Sequence, residues 1–178
     1  MAKKEVIQVA IKVEREDSGA NNRVINEANW LKILNKDKIG PKYLFNEGNY
    51  LVREFVEGEL ILDWIKEKNK DEILTVLLDV LNQCYKMDKL GVNKEEMHHP
   101  LKHIIIDKSG NALLIDFERC HRTEKPINVT QFIEFICRIK NEVKILNIDV
   151  EKLRSLSAEY KKSYDKENFV EFQNYRTF

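Results

Sequence analysis

Three of the four histidines, His98, His99 and His103, fall within six positions of one another in the stretch EEMHHPLKHIIID, residues 95–107. Imidazole binds borderline metals and moves protons near neutral pH, so the cluster raises either a metal centre or a catalytic loop. A structural zinc site would draw on His98, His99 and His103 with Cys120 or His121. Two features weigh against it: Pro100 interrupts the helix that would align His99 with His103, and no standard zinc spacing occurs. Other ionisable residues stand at the ends or inside of apolar runs, notably Lys12, Glu27 and Asp116. Taken one at a time, these read as a solvated strand lysine, an exposed helix glutamate and the end of a buried strand.

The bulk numbers limit what these residues can serve. A chain of 178 residues, 43% hydrophobic and 34% charged, forms one packed domain or two small lobes. Lys plus Arg equals Asp plus Glu at 30 each, which gives no support to a nucleic-acid surface. Cys84, Cys120 and Cys137 are odd in number and far apart, so a reducing, cytoplasmic setting fits best. No segment approaches a membrane span, and no signal-peptide core opens the chain.

The elements follow from periodicity. EVIQVAIKVE, 5–14, is β-branched enough for a strand, and EDSGANN, 16–22, reads as a loop. Residues 22–35 turn helical, with Val24, Ala28 and Leu31 on one stripe, and Pro41 lies beyond the end. Residues 43–58 predict two strands around a Glu-Gly-Asn turn, followed by a helix at 59–68. The strongest helix spans 71–88, where Ile73, Leu77, Val80, Leu81 and Cys84 share a face. HIIIDKSGNALLIDF, 103–117, predicts a hairpin, and its continuous apolar runs suggest strands buried on both faces. Helices at 129–145 and 150–164 and a polar tail complete the chain.

Set on these elements, VAIK at 9–12 resembles the third-strand lysine motif of protein kinases and their relatives. Glu27 then lies in the helix where that fold places the lysine's glutamate partner. The resemblance implies that Lys12 holds α- and β-phosphate oxygens of ATP and that Glu27 holds Lys12. YLVREFVEG, 50–58, resembles the strand-to-hinge segment. There Glu54 would offer its carbonyl and Val56 its amide to adenine, and Arg53 would sit at the back of the pocket. LLIDFERC, 113–120, resembles the strand ending in Asp-Phe-Gly and implies that Asp116 is a Mg²⁺ ligand. Glu118 replaces the glycine, as in atypical RIO-type and lipopolysaccharide-type kinases, and removes the freedom a flipping switch needs. The resemblance spans about residues 6–145 and is closest to small archaeal or atypical relatives.

The histidine-rich loop now occupies the place of the catalytic loop, which runs His/Arg-Asp-Leu, a few residues, Asn, then a strand. His103 stands where the metal-binding Asn is expected, and imidazole suits Mn²⁺ better than Mg²⁺. Two registers remain. With no gap, His98 takes the aspartate position; with a loop two residues longer, Glu96 takes it and Met97 follows as the leucine. The second keeps a carboxylate and is favoured. Lys102 is expected near the transferred phosphate, neutralising developing charge.

The expected fold is therefore α+β and kinase-like. A truncated N-terminal lobe, 1–57, holds a strand, a helix and two strands, and a helical C-terminal lobe, 58–178, carries the hairpin. Eleven residues without a glycine precede Lys12, so the chain reads as N-terminally shortened and lacking the Gly-rich loop. Its exposed sheet edge would invite a homodimer. The leading expectation is an atypical Ser/Thr protein kinase or small-molecule kinase using ATP with Mg²⁺ or Mn²⁺. Its acceptor would be a protein or small molecule, with no membrane or nucleic-acid partner. A catalytically inactive kinase-fold nucleotide-binding or regulatory module is the alternative, and an unrelated α+β interaction domain the third reading.

Overall fold

The computed structural model describes residues 8–14 and 22–174. Residues 5–7 of the expected first strand, 16–21 of the loop after it and 175–178 of the tail lie outside that range. In chain order the elements are β1 (Val9–Val13), α1 (Arg23–Leu34), a 3₁₀ turn (Asn35–Asp37), β2 (Tyr43–Glu47), β3 (Tyr50–Glu54), β4 (Gly58–Leu60) and α2 (Ile61–Ile65). There follow α3 (Lys70–Lys89), β5 (Val92–Asn93), β6 (Ile104–Asp107), β7 (Ala112–Leu114), β8 (His121–Arg122), α4 (Asn128–Arg138), α5 (Val150–Ser163) and α6 (Lys166–Asn174). The architecture is mixed α+β with antiparallel strand pairing throughout.

One sheet has the order β1-β3-β2, with β1 at its edge. Lys12 pairs with Leu51 and Ile11 with Val52. Because side chains alternate along a strand, Lys12 shares a face with the fully buried Leu51, while Val9, Ile11 and Val13 are exposed. Helix α1 packs on β2 and β3 through Val24, Ala28, Leu31 and Leu34.

The second sheet, β4-β6-β7, departs from expectation at its first strand. Glu59 and Leu60, the start of the helix expected at 59–68, instead pair with β6 together with Gly58, and the helix is confined to α2. Gly58 permits this, because a Cβ there would collide with the carbonyl of Ile106. The hairpin forms as expected, but its strands are buried on one face only. Ile104, Ile106, Ala112 and Leu114 are inside, while Ile105 and Leu113 are half-exposed. Gln83 and Asp79 of α3 bond the carbonyl and amide of Ala112, fixing the hairpin on that helix.

Helix α3 starts with a capping box, in which Asn69 accepts from the Glu72 amide and Glu72 accepts from that of Asn69. Helices α4, α5 and α6 pack on it in succession. The polar-looking tail contains α6, whose Phe169 stacks on Tyr85 at 4.0 Å between ring centroids. No helix among the described residues is long and apolar enough to cross a membrane.

Asp88, near the end of α3, is the polar centre of this half. Its carboxylate accepts from the Asn128 amide and side chain, from the Val129 amide and from the Tyr160 hydroxyl. Burial pushes its carboxyl up to about 6, against the pull of those bonds. Asn128 in turn accepts from the Lys94 amide and donates to the Val92 carbonyl. Asp88→Ala strands several buried donors, and at about 1–3 kcal/mol for each unsatisfied group it should cost roughly 3 kcal/mol or more. Urea denaturation should show the midpoint falling with an unchanged slope; a loss below about 1 kcal/mol would mean that water replaces the carboxylate.

Candidate functional site

Lys12 projects from the inner face of β1 into a cluster of carboxylates. Its Nζ lies 2.7 Å from Glu27 Oε2, 3.0 Å from Asp116 Oδ1 and 2.7 Å from Glu118 Oε2. Glu27 is 1% exposed and comes from α1, so its charge depends on this partner. Burial alone would lower the Lys12 ammonium, but Glu27 and Glu118 raise it above its ordinary value, and the residue stays charged. Helix α1 also grips the segment that carries the other two acids. Asn26 donates to the carbonyls of Glu118 and Cys120, and the Trp30 indole donates to Cys120 at 2.8 Å.

Asp116 lies two residues beyond the end of β7 and has a left-handed backbone, φ 63°. Phe117, fully buried, packs where a Cβ on Gly40 would come within 2.7 Å of its ring, so the Asp-Phe segment is seated under α1. The Ile115 amide donates to the His103 carbonyl, extending the hairpin by one bond and setting His103 beside Asp116. His103 Nε2 is 4.0 Å from Asp116 Oδ2 and 3.6 Å from Glu96 Oε2. Burial and the neighbouring Lys94 lower the His103 pKa. Asp116 is pushed up by burial but held below the ordinary carboxylate range by Lys12.

Glu96 and His98, the two residues proposed for the aspartate position, lie in different surroundings. Glu96 reaches the cluster, where Arg119 Nη1 holds it at 2.7 Å, and its backbone is also left-handed at φ 68°. Met97 is fully buried, while His98 and His99 are exposed. Non-glycine residues in this conformation cost about 1–3 kcal/mol and gather at functional sites, and here two acidic residues that face one another's neighbourhood share it.

The cation beside Asp116 is Lys94, which the sequence does not single out. It is 1% exposed, and its Nζ donates to the Asp116 carbonyl at 2.6 Å and lies 3.4 Å from His103 Nδ1. Burial lowers its pKa. Its only signal in the sequence is its place two residues before Glu96, in a segment whose charges look solvated. Lys102, the expected cation, is exposed and lines a separate groove with Leu60, Leu62, Lys66 and Leu101. Arg23 and Arg119, also unforeseen, hold Glu118 and Glu96.

Glu54 and Val56 flank the crossing between the sheets. Glu54 ends β3, and its carbonyl accepts one bond, from Arg53 Nη1 at 3.2 Å, which leaves its second lone pair for another donor. Its carboxylate accepts from the Lys42 amide. Val56 is half-buried between β3 and β4. Neither residue is in contact with the Lys12 cluster.

The donor set fits a hard divalent cation. Among the described residues, the one group of three or more His, Cys, Asp or Glu whose ligand atoms lie within 4.8 Å of one another is Glu27, Asp116 and Glu118. All are oxygen donors, and His103 stands next to Asp116. The room beside them is small. A cavity of about 70 Å³ lies among Lys94, Glu96, His103, Asp116, Glu118 and Arg119. Small-molecule ligands take clefts of about 300–1,000 Å³, so the side chains as placed close this part of the cleft.

No family model matches the chain. It is similar to an uncharacterized protein, MJ1211, of Methanocaldococcus jannaschii: 27% identical over 117 residues, covering 64% of this chain and 98% of that protein.

The Lys12–Glu27 pair should behave as a coupled unit. Lys12→Met leaves a buried carboxylate without a partner and should cost about 3–5 kcal/mol in urea denaturation. Adding Glu27→Gln should recover much of that loss, with a coupling of roughly 1–3 kcal/mol; additive effects would dissolve the pair as a structural unit.

Proposed function

We propose that this chain is an ATP-dependent phosphotransferase of the atypical protein-kinase type, related in plan to RIO-type and lipopolysaccharide-type kinases. One observation carries the reading: Lys12 on β1 meets Glu27 on α1 and Asp116 at the end of the hairpin, across 104 residues of chain. The arrangement is what phosphoryl transfer asks of a protein, namely positioning and charge stabilisation with little covalent work. Lys12 orients phosphate oxygens, and Glu27 holds Lys12. Asp116, with Glu118 and His103 beside it, would hold a divalent cation, which would supply charge neutralisation for the phosphates. Glu96 accepts the hydrogen bond of the acceptor hydroxyl and takes its proton as the γ-phosphoryl group leaves ADP for that oxygen. Lys94 holds the Asp116 backbone, and Arg119 holds Glu96. Glu54 and Val56 border the adenine end.

The small cavity beside Asp116 favours a second reading, a kinase-fold module that binds nucleotide without turnover. Calorimetric titration with ATP and Mg²⁺ or Mn²⁺ separates the two when paired with a turnover assay. The enzyme reading expects binding in the micromolar to millimolar range. It expects Asp116→Asn to weaken metal-nucleotide binding at least about tenfold, the effect of losing one charge-assisted contact. Glu96→Gln should keep binding and lose about 10²–10⁴ in rate. Binding without release of ADP selects the module, and no binding with either metal at millimolar nucleotide rejects both.

A further inference from the structure

Glu118 lies on Lys12 in the manner of a phosphate. Its Oε2 is 2.7 Å from Lys12 Nζ and its Oε1 is 3.2 Å from Arg23 Nη1, so one side chain bridges two cations. We propose that Glu118 is a resident competitor for phosphate at Lys12, one that yields to a polyphosphate only when a divalent cation accompanies it. The proposal rests on the reading of this cleft as a polyphosphate site and concerns which form of polyphosphate it admits.

An ammonium has three N–H donors, and Glu27, Asp116 and Glu118 engage all three. A phosphate oxygen must therefore displace one of them. Glu27 is 1% exposed, and moving it off Lys12 would leave a buried charge unpaired. Asp116 is fixed by its left-handed backbone and by Lys94 on its carbonyl. Glu118 differs from both: unlike Glu27 it is not fully buried, and its side chain has one more rotatable bond than that of Asp116. Asn26 secures its main chain, while its carboxylate already spans from Lys12 to Arg23.

Charge decides what can displace it. Three carboxylates face Lys12 and Arg23, so a bare triphosphate approaches like charges at contact range. A divalent cation reverses this. Asp116 and Glu118 already place oxygens within 4.8 Å of one another, so Glu118 can pass from Lys12 to the cation and leave the ammonium to the phosphate. The glycine of an Asp-Phe-Gly motif could do neither.

The test is calorimetric titration of tripolyphosphate and of ATP, each with and without Mg²⁺, into the wild type and into Glu118→Gln. In the wild type, metal-free tripolyphosphate should bind at least about tenfold more weakly than its Mg²⁺ complex. Glu118→Gln should tighten the metal-free form about tenfold and weaken the Mg²⁺ form, collapsing the gap. The wild-type comparison is decisive even if the variant fails to fold. Equal binding of both forms by the wild type, an unchanged metal-free affinity in Glu118→Gln, or no polyphosphate binding by either protein overturns the proposal. Tripolyphosphate bound with the expected metal pattern, but ATP bound no more tightly, upholds Glu118 in this role and removes adenine from the function proposed above.

Discussion

A buried carboxylate that must be matched by a cation governs this structure. Glu27 sits in the packed face of α1 between residues that are wholly apolar, and isolated charge in such a place is strongly unfavourable. Lys12 resolves the conflict, but only if β1 is registered on β3 so that Lys12, and not Ile11 or Val13, faces inward. A one-residue slip would turn the lysine outward and leave Glu27 unpaired. The ion pair thus sets the register of an edge strand that its exposed valines and isoleucine would leave weakly specified. It also brings α1 over the segment 116–120, where Asn26 and Trp30 complete the attachment.

A second line of support reaches the same point from the other side. Asp88 fixes Asn128, Asn128 fixes the backbone of Lys94, and Lys94 fixes the carbonyl of Asp116. The first two links are buried and the third is part-buried, and satisfied buried polar networks of this kind confer rigidity. Asp116 is thereby held between Lys12 at its side chain and Lys94 at its main chain. The left-handed turn at Asp116 is stable because both contacts exist together.

Part of this is legible in the sequence. Lys12 and Asp116 end or occupy apolar strands and Glu27 lies in a periodic helix, but that they meet is implied by the resemblance of VAIK and IDFE to the kinase motifs, since each alone reads as an ordinary surface or strand-end residue. Glu96 is singled out because Glu-Met matches the Asp-Leu of that resemblance and keeps a carboxylate. Lys94 is not, since a lysine in NKEEM looks solvated and its burial depends on Asn128, distant in sequence. Residues 58–60, Gly-Glu-Leu, carry no strand pattern of their own, and their strand character comes from β6, a partner local pattern cannot reveal. Helix α6 is hidden for a similar reason: Phe169 and Phe172 form too thin a stripe to stand out, and they acquire a core only against Tyr85 and Tyr160. Lys102 lies away from its expected place because counting along a loop says little about where its side chains turn.

The passage from β3 to β4 occupies only residues 55–57 and is the one covalent crossing between the first sheet with α1 and everything that follows. Opposite that crossing the two parts are joined by more than charge: besides Lys12 and Arg23, Asn26 and Trp30 bond the carbonyls of Glu118 and Cys120, and Phe117 is buried beside Gly40. Salt that screens the Arg23 pair therefore loosens one attachment among several, while the apolar core that runs through both parts keeps them together.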